Sequence, residues 1–573
     1  MSSSPRTFPA FLGALLLFSA LGISLQAGVK LFVPAGYLPG RPLVARVELQ
    51  DSAGLPNRDL WNAEAALTAD PGVSLSTNRV VLRNGVGTAL LTVTGTSDFT
   101  LRAQVNGEET SRILSNRAGE PVTSISGNLP GASTTWSGVV NVTGNVTVPV
   151  GHTLTIQPGT IVVMTGVASG TSGTSLTVNG IVRSLGTESL PVTITSSDPF
   201  LNWGQIIHQG AEPSIYQHTF ITKAGRAPGE AHTGSAPAFR VRNTDLTLEN
   251  VVVTDLNSNG SNIGKIMMAT DSELVLRNCV FNRARMGPEI AGTGLLCTNS
   301  YFLEMNGPDD ADGIYLHDSD GRQLLLSNCV FAGGDDDAVD TLNSTVVLEN
   351  CILRDWPNPN EDAKGVSAFN GEVILRRCLI VNCFAGVSSK SNGPLGVVRI
   401  DHCTITGLDK GVSAATKSNA TDGNLQFYIT DSIIRAPDAI HSDFGADRFI
   451  SVTFCNLSES WSGAGNSTAD PLFVNAALGD FHLQSASPCI DAGDPASPPD
   501  MDASRSDVGF YVGASGAAGP FVALTSPADG SLFAVPANIP LQAAAAAFTE
   551  AVSSVHFYAG GLKIGEDEAS PYG

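Results

Sequence analysis

Four aspartates stand out by type and spacing. Asp312 closes the run Pro308-Asp309-Asp310-Ala311-Asp312, and Asp336, Asp337 and Asp340 belong to Gly334-Asp335-Asp336-Asp337-Ala338-Val339-Asp340. Two carboxylates about 5 Å apart repel by roughly 3 kcal/mol at an effective dielectric of about 20. Four held together therefore require a cation, raised pKa values or a nearby ammonium group. Lys364 is the candidate ammonium group, and a hard, all-oxygen cluster favours calcium. If the two runs do not meet, the same residues are solvated acidic turns. The elements that carry them decide the matter.

Those elements repeat. The phrases LRNCVF (Leu276 to Phe281), LSNCVF (Leu326 to Phe331), LENCIL (Leu348 to Leu353) and LRRCLI (Leu375 to Ile380) recur in weaker form as LCTNSYF, IDHCTI and ITDSII. The repeat position runs Cys279, Ser300, Cys329, Cys351, Cys378, Cys403, Ser432, Cys455, with successive differences of 21, 29, 22, 27, 25, 29 and 23. Such spacing marks a solenoid. Within each phrase the alternation slips once: Leu274 and Leu276 share a parity that Cys279 and Phe281 do not. Strand side chains alternate faces, so both pairs face one interior only if the chain bends between them. The bending residue is usually Asn (Asn278, Asn299, Asn328, Asn350), which tolerates left-handed backbone. A third strand shows as Gly365-Val366-Ser367, Gly386-Val387-Ser388 and Gly411-Val412-Ser413.

Three short strands per turn, stacked about 4.8 Å apart, predict an all-β, right-handed parallel β-helix. Aligning the inward residues Ile314, Val339, Val366, Val387, Val412 and Ile440 sets the register. Two positions earlier come Asp312, Asp337, Lys364, Ala385, Lys410 and Asp438; one later, facing out, come Tyr315, Asp340, Ser367, Ser388, Ser413 and His441. The register brings Asp312, Asp336, Asp337 and Asp340 together on two adjacent coils, with Lys364 one coil on. Six cysteines fall in one inward column and are expected as buried thiols packed like small hydrophobes, with bridges as the alternative.

The repeat pattern resembles the pectate-lyase-like β-helix superfamily. The acidic arrangement is similar to the calcium site of family 9 pectate lyases, where an Asp on one coil joins a D-D-x-x-D run on the next. That resemblance implies calcium held by Asp312, Asp336, Asp337 and Asp340, with a lysine as the base. Lys364 is the nearest candidate base and Lys390 a looser one, although Lys364 lies only one coil beyond the acidic pair. The G-H-G and R-x-K signatures of polygalacturonases are missing. His317, His402 and His441 have no paired His or Cys at metal spacing, so surface or corner roles are expected of them.

Flanking segments differ in pattern. Residues 1–27, with Arg6 ahead of an apolar stretch from Phe11 to Leu25, read as a secretory signal peptide. Residues 29–118 carry short alternating runs bounded by Gly, Asn and Asp, and resemble a bacterial Ig-like sandwich. The solenoid is placed at 120–511, closed by ADPLFVN, DFHLQSASPCIDAGDP and DMDASRSDVGFY, in which Asp500 to Asp507 is read mainly as a cap. A linker at 512–520 leads to 521–573, read as an Ig-like domain whose later strands are missing, hence as a fragment of a longer protein.

Lys+Arg 32 against Asp+Glu 54 gives a net charge of −22, which disfavours nucleic acid and anionic lipid. Beyond the signal peptide no apolar run has the roughly 20 residues of a membrane span. The functional expectation is a secreted or cell-surface β-helix protein, a binding or structural module that contacts an extracellular polysaccharide or surface partner and carries a calcium site. The alternative is a calcium-dependent polysaccharide lyase acting by β-elimination on an acidic glycan, and any activity could also lie beyond Gly573. The chain by itself leaves open whether it is an enzyme.

Overall fold

The computed structural model describes residues 28–512 except 233, 257–263, 308–309, 361, 416–423, 445–449 and 501–503, and then 521–527, 538–546, 554–559 and 562–567. The expected signal peptide and all but the first residue of the expected linker lie outside the described residues. Among the described residues no helix is long and apolar enough to cross a membrane.

The N-terminal strands, Gly28–Phe32 through Glu108–Asn116, form one nine-stranded and almost wholly antiparallel sheet. It curls until its ends approach, and Arg112 Nε donates to Leu31 O at 3.3 Å. Alternate residues such as Leu43, Ala45, Val47, Leu91, Val93, Leu101 and Ala103 fill its core.

From Val122 to Leu457 the chain winds as a three-sided parallel solenoid. Sheet 1 has 13 strands, from Ser133–Trp136 to Ile450–Thr453. Sheets 2 and 3 are linked into a 23-stranded array, because successive strands pass from one face to the next. One coil shows the pattern: Glu273–Arg277 lies on sheet 1, Val280–Ala284 on sheet 2 and Met286–Ala291 on sheet 3. The expected third-strand register is found, with Ile314 opposite Val339, Val339 opposite Val366, Val366 opposite Val387, Val387 opposite Val412 and Val412 opposite Ile440.

The corners explain the parity slip. Asn278, Asn299, Asn328 and Asn350 have φ of 53°, 51°, 55° and 52°, which is left-handed backbone. Two further left-handed corners complete each of these coils: Arg283, Glu304, Gly333 and Asp355 between sheets 2 and 3, and Gly292, Asp318, Asn343 and Asn370 between sheets 3 and 1. At the first corner the single-residue bend turns the chain without a loop, whereas between sheets 2 and 3 further residues intervene, as between Gly334 and Val339 and between Trp356 and Lys364. Later coils place Arg377, His402 and Asp431 at the first corner, with φ of 45°, 49° and 47°.

All nine cysteines are free and buried. The thiols of the column serve the corner: Cys279, Cys329, Cys351, Cys378 and Cys403 each direct Sγ to the carbonyl two residues earlier at 3.3–3.5 Å. Ser300 and Ser432 occupy the same column and accept from the backbone N–H of Cys279 and Cys403. A small side chain with a weak donor fits a place where a corner carbonyl would otherwise be unpaired. Cys297, off the column, lies 3.7 Å from the Cys329 sulfur.

The outer face of sheet 2 is not solvent. Val280, Tyr301, Val330, Ile352 and Leu379 point outward and are buried against Val44 and Val86 of the N-terminal domain and Phe481 and Phe510 of the closing segment. This is why the repeats read CVF and CIL without alternation: a strand covered on both sides is apolar on both sides. Polar contacts fix the docking. Arg354 is fully buried, donates from Nε to Asn84 Oδ1 at 2.8 Å, and lies over the Trp61 ring at 4.2 Å. Arg283 donates to Thr88 O at 2.9 Å, and Tyr301 Oη to Asn84 O at 3.1 Å. With sheet 2 covered here, sheet 3 is the face to search for a site.

Candidate functional site

The two acidic runs meet on sheet 3. Asp312, Asp337 and Asp340 each offer a carboxylate oxygen within 4.8 Å of the others, and Asp312 and Asp337 are 1% and 5% exposed. Asp336 lies outside this trio but is coupled to it electrostatically. The pleat explains the convergence: Tyr315 pairs with Asp340, and the Asp337 backbone N–H donates to Asp312 Oδ1 at 3.3 Å, joining the coils. Asp312 Oδ2 is buried with no hydrogen-bond partner.

Lys364, on the next coil, is 4% exposed. Its backbone N–H donates to Asp337 Oδ1 at 2.8 Å, its Nζ lies 3.3 Å from the same oxygen, and Nζ also donates to the Asp362 carbonyl. Burial works against the charged amine, but Asp337, Asp362 and Asp336 outweigh it and raise its pKa. Lys364 is therefore a held ammonium group. Lys390 lies 4.0 Å from Asp362 Oδ2.

The carboxylates of the cluster thus outnumber the Lys364 ammonium group, which contacts Asp337. Burial first, then mutual repulsion, pushes Asp336 up to about 8 and Asp340 to about 7, and raises Asp312 well above the usual carboxylate range. Asp337 is raised by burial against the opposing pull of Lys364. An all-oxygen donor set with an unpartnered buried oxygen fits a hard divalent cation. Asp312, Asp337 and Asp340 are the residues placed to hold one, and the remaining ligands of a calcium ion, six to eight in all, would come from water or a bound molecule.

The structure adds residues that the sequence pattern did not single out. Glu289 precedes Tyr315 on the outward ladder that leads to Asp340. It is 1% exposed, bonds to the fully buried Lys265, and accepts the His232 backbone N–H at 3.2 Å. His317 Nε2 lies 3.5 Å from Glu289 Oε1, and the His232 side chain lies 3.1 Å from Asp310. The Tyr315 ring lies between those of His317 and His232, with centroids 4.5 Å and 4.8 Å away. Donating to Asp310 raises the His232 pKa, and for His317 burial is outweighed by donation to Glu289 and Asp318, so its pKa is raised too. Extending the register one coil upstream finds Glu289; His232 comes from a segment outside the repeat, and no sequence signal marks it. Elsewhere, His402 occupies a first corner, and His441 lies between Asp438 and Asp443 at 2.7 and 2.9 Å.

Residues 237–429 match the family model described as a right-handed beta helix region. The fold of residues 122–457 is a right-handed parallel β-helix. A second match, to a bacterial Ig domain, covers residues 520–573, beyond the β-helix. No curated protein matches the chain. Among solved structures it is similar to an alginate lyase from Paenibacillus sp. str. FPU-7, at 12% identity and TM-score 0.25, over 51% of this chain and 93% of that one. It is also similar to the A-module of the mannuronan C-5 epimerase AlgE4 of Azotobacter vinelandii, at 10% identity and TM-score 0.22, over 56% and 91%. A third is Dex49A from Penicillium minioluteum, at 8% identity and TM-score 0.21, over 74% and 78%.

Proposed function

We propose that this β-helix protein is secreted or displayed at the cell surface and binds an extracellular polysaccharide on sheet 3, around a calcium site at Asp312, Asp337 and Asp340 with Asp336 beside it. The observation that carries this reading is the convergence of three carboxylates with a buried, unpartnered Asp312 oxygen. Three side chains fall short of a calcium ion's usual ligand number, and hydroxyl or carboxylate oxygens of a glycan are suited to supply the rest. A face built of coils about 4.8 Å apart is long enough for a polymer. The apolar stretch from Phe11 to Leu25 after Arg6 supports secretion.

The test is a thermal melt of purified protein with calcium, with chelator, and with chelator followed by excess calcium, alongside binding to immobilised acidic and neutral glycans. Calcium-dependent stabilisation lost in Asp340→Asn, together with calcium-dependent glycan retention, is expected. A melt indifferent to chelator would overturn the calcium site, and retention of no glycan would overturn the polysaccharide reading.

The rival reading, β-elimination with Lys364 as base, has that residue beside the acidic cluster in its favour. It requires a neutral amine, whereas Asp337 and Asp362 hold Lys364 charged. Incubation with pectate or alginate and calcium would yield new ultraviolet absorbance from the unsaturated product if the rival holds, and none on the binding reading.

A further inference from the structure

The closing segment lies over the first-corner column where that column changes chemistry. Asp431 is fully buried; its Oδ1 accepts the Asp494 backbone N–H and its Oδ2 the Ser497 hydroxyl, both at 2.6 Å. The Gly509 N–H donates to the Asp431 carbonyl at 2.9 Å. One coil earlier at the same corner, the His402 side chain is 8% exposed. Its Nδ1 lies 2.8 Å from Asp401 Oδ1, an arrangement that places the proton on Nδ1 and leaves the Nε2 lone pair free. Nε2 is buried without a hydrogen-bond partner and lies 3.6 Å from Asp431 Oδ2. Asp500 of the closing segment has Arg377 at 3.6 Å from its Oδ1.

A lone pair aimed at a carboxylate is repelled unless a cation lies between them. The 3.6 Å gap exceeds the roughly 2.7–3.2 Å of an N–H···O bond. It is close to the separation of two ligands on one tetrahedral ion, which at bonds of about 2.1 Å is roughly 3.4 Å. A carboxylate on the far nitrogen of a ligating histidine is also the usual outer-sphere arrangement. The geometry points to a second, separate cation site, in which His402 Nε2 and Asp431 Oδ2 ligate a divalent transition ion of the zinc class and Asp401 positions the imidazole. Imidazole nitrogen selects this class over calcium. The bound ion would fasten the closing segment to the coils beneath it.

The experiment is zinc titration of metal-free full chain by calorimetry, repeated with cobalt and read by visible absorption. Wild type is expected to bind one zinc that Asp340→Asn retains and His402→Gln loses. Asp401→Asn is expected to weaken it about 10- to 100-fold. Cobalt bound in wild type should give tetrahedral d–d bands that are missing in His402→Gln. Because His402→Gln could disturb the corner, its calcium-dependent melt serves as a folding control, and Asp401→Asn tests the same site through an exposed residue. Zinc binding unchanged in both variants, or cobalt absorption that does not require His402, would overturn the proposal. So would a wild type that binds no zinc.

Discussion

Lys364 meets one oxygen of Asp337 twice, through its backbone N–H at 2.8 Å and its Nζ at 3.3 Å. One contact fastens the Asp337 side chain to the backbone of the next coil and the other balances charge, so a single carboxylate ties two coils to the electrostatics of the site.

Removing the ammonium group should leave Asp337 buried and uncompensated. Lys364→Met is expected to lose about 3–5 kcal/mol of stability, with much of the loss recovered by Asp337→Asn in the same chain. Chemical denaturation of wild type and the two variants in chelator measures it. If a calcium ion occupies the cluster, Lys364→Met should also respond to calcium more strongly than wild type, since one competing positive charge is gone.

The pH dependence has a defined sign. The carboxyls of Asp336 and Asp340 titrate at about 8 and about 7 in the folded chain, raised from 3.8. The folded state therefore keeps protons that the unfolded state has lost. Their stabilising contribution is complete below about pH 3.8 and is lost as pH rises through about 7 to 8. Without calcium, wild type should lose melting temperature relative to Asp336→Asn/Asp340→Asn across that window, on the order of 5 °C. A difference that stays flat from pH 4 to 8 would contradict these environments.

Arg354 anchors the N-terminal domain to sheet 2. Arg354→Ala removes the donor to Asn84 Oδ1 and the group stacked on Trp61, and is expected to cost about 2–4 kcal/mol. The weakened docking should appear as faster limited proteolysis between Asn116 and Val122, the connection between the two parts, with the β-helix fragment itself resistant. Uniform resistance would show that the apolar contacts suffice.

The corner asparagines are replaceable in a defined order. Asn350 has φ 52° and donates to the Asn328 side chain. Asn350→Gly keeps the backbone freedom and should cost less than 1 kcal/mol, whereas Asn350→Val should cost about 1–2 kcal/mol from left-handed strain alone. Equal melts for the two would argue against a strained corner.

The cysteine column should be chemically silent. Every thiol in it is free and buried, so a thiol reagent, having no access, should label none of the column without denaturant, and reductant should leave the melting temperature unchanged; burial also pushes the thiols of Cys279 and Cys455 up to about 12.

Much of this was legible along the chain because it is periodic. The parity slip at Leu276 and Cys279 locates a corner, and the Gly-Val-Ser strands fix a register that predicts Asp340 beside Tyr315 and Asp337 beside Lys364. Of the three corners that three strands per turn require, only the Asn corner stood out, because the other two mix residue types, Arg283, Glu304, Gly333 and Asp355 at one and Gly292, Asp318, Asn343 and Asn370 at the other. The middle residue of CVF had a message too: Val280 is apolar because another domain covers it, and one strand's sequence does not say what the cover is.

The sequence by itself determined the coil, because a repeated pattern of inward residues specifies the same local bends and strand pairings at each turn. Tertiary structure alone decided what non-repeating segments bring to the coil's faces: the N-terminal domain on Val280 and Arg354, His232 against Tyr315, and the closing segment over His402 and Asp431. Those contacts join residues far apart in the chain through packing and hydrogen bonds, and no period along the sequence encodes such meetings.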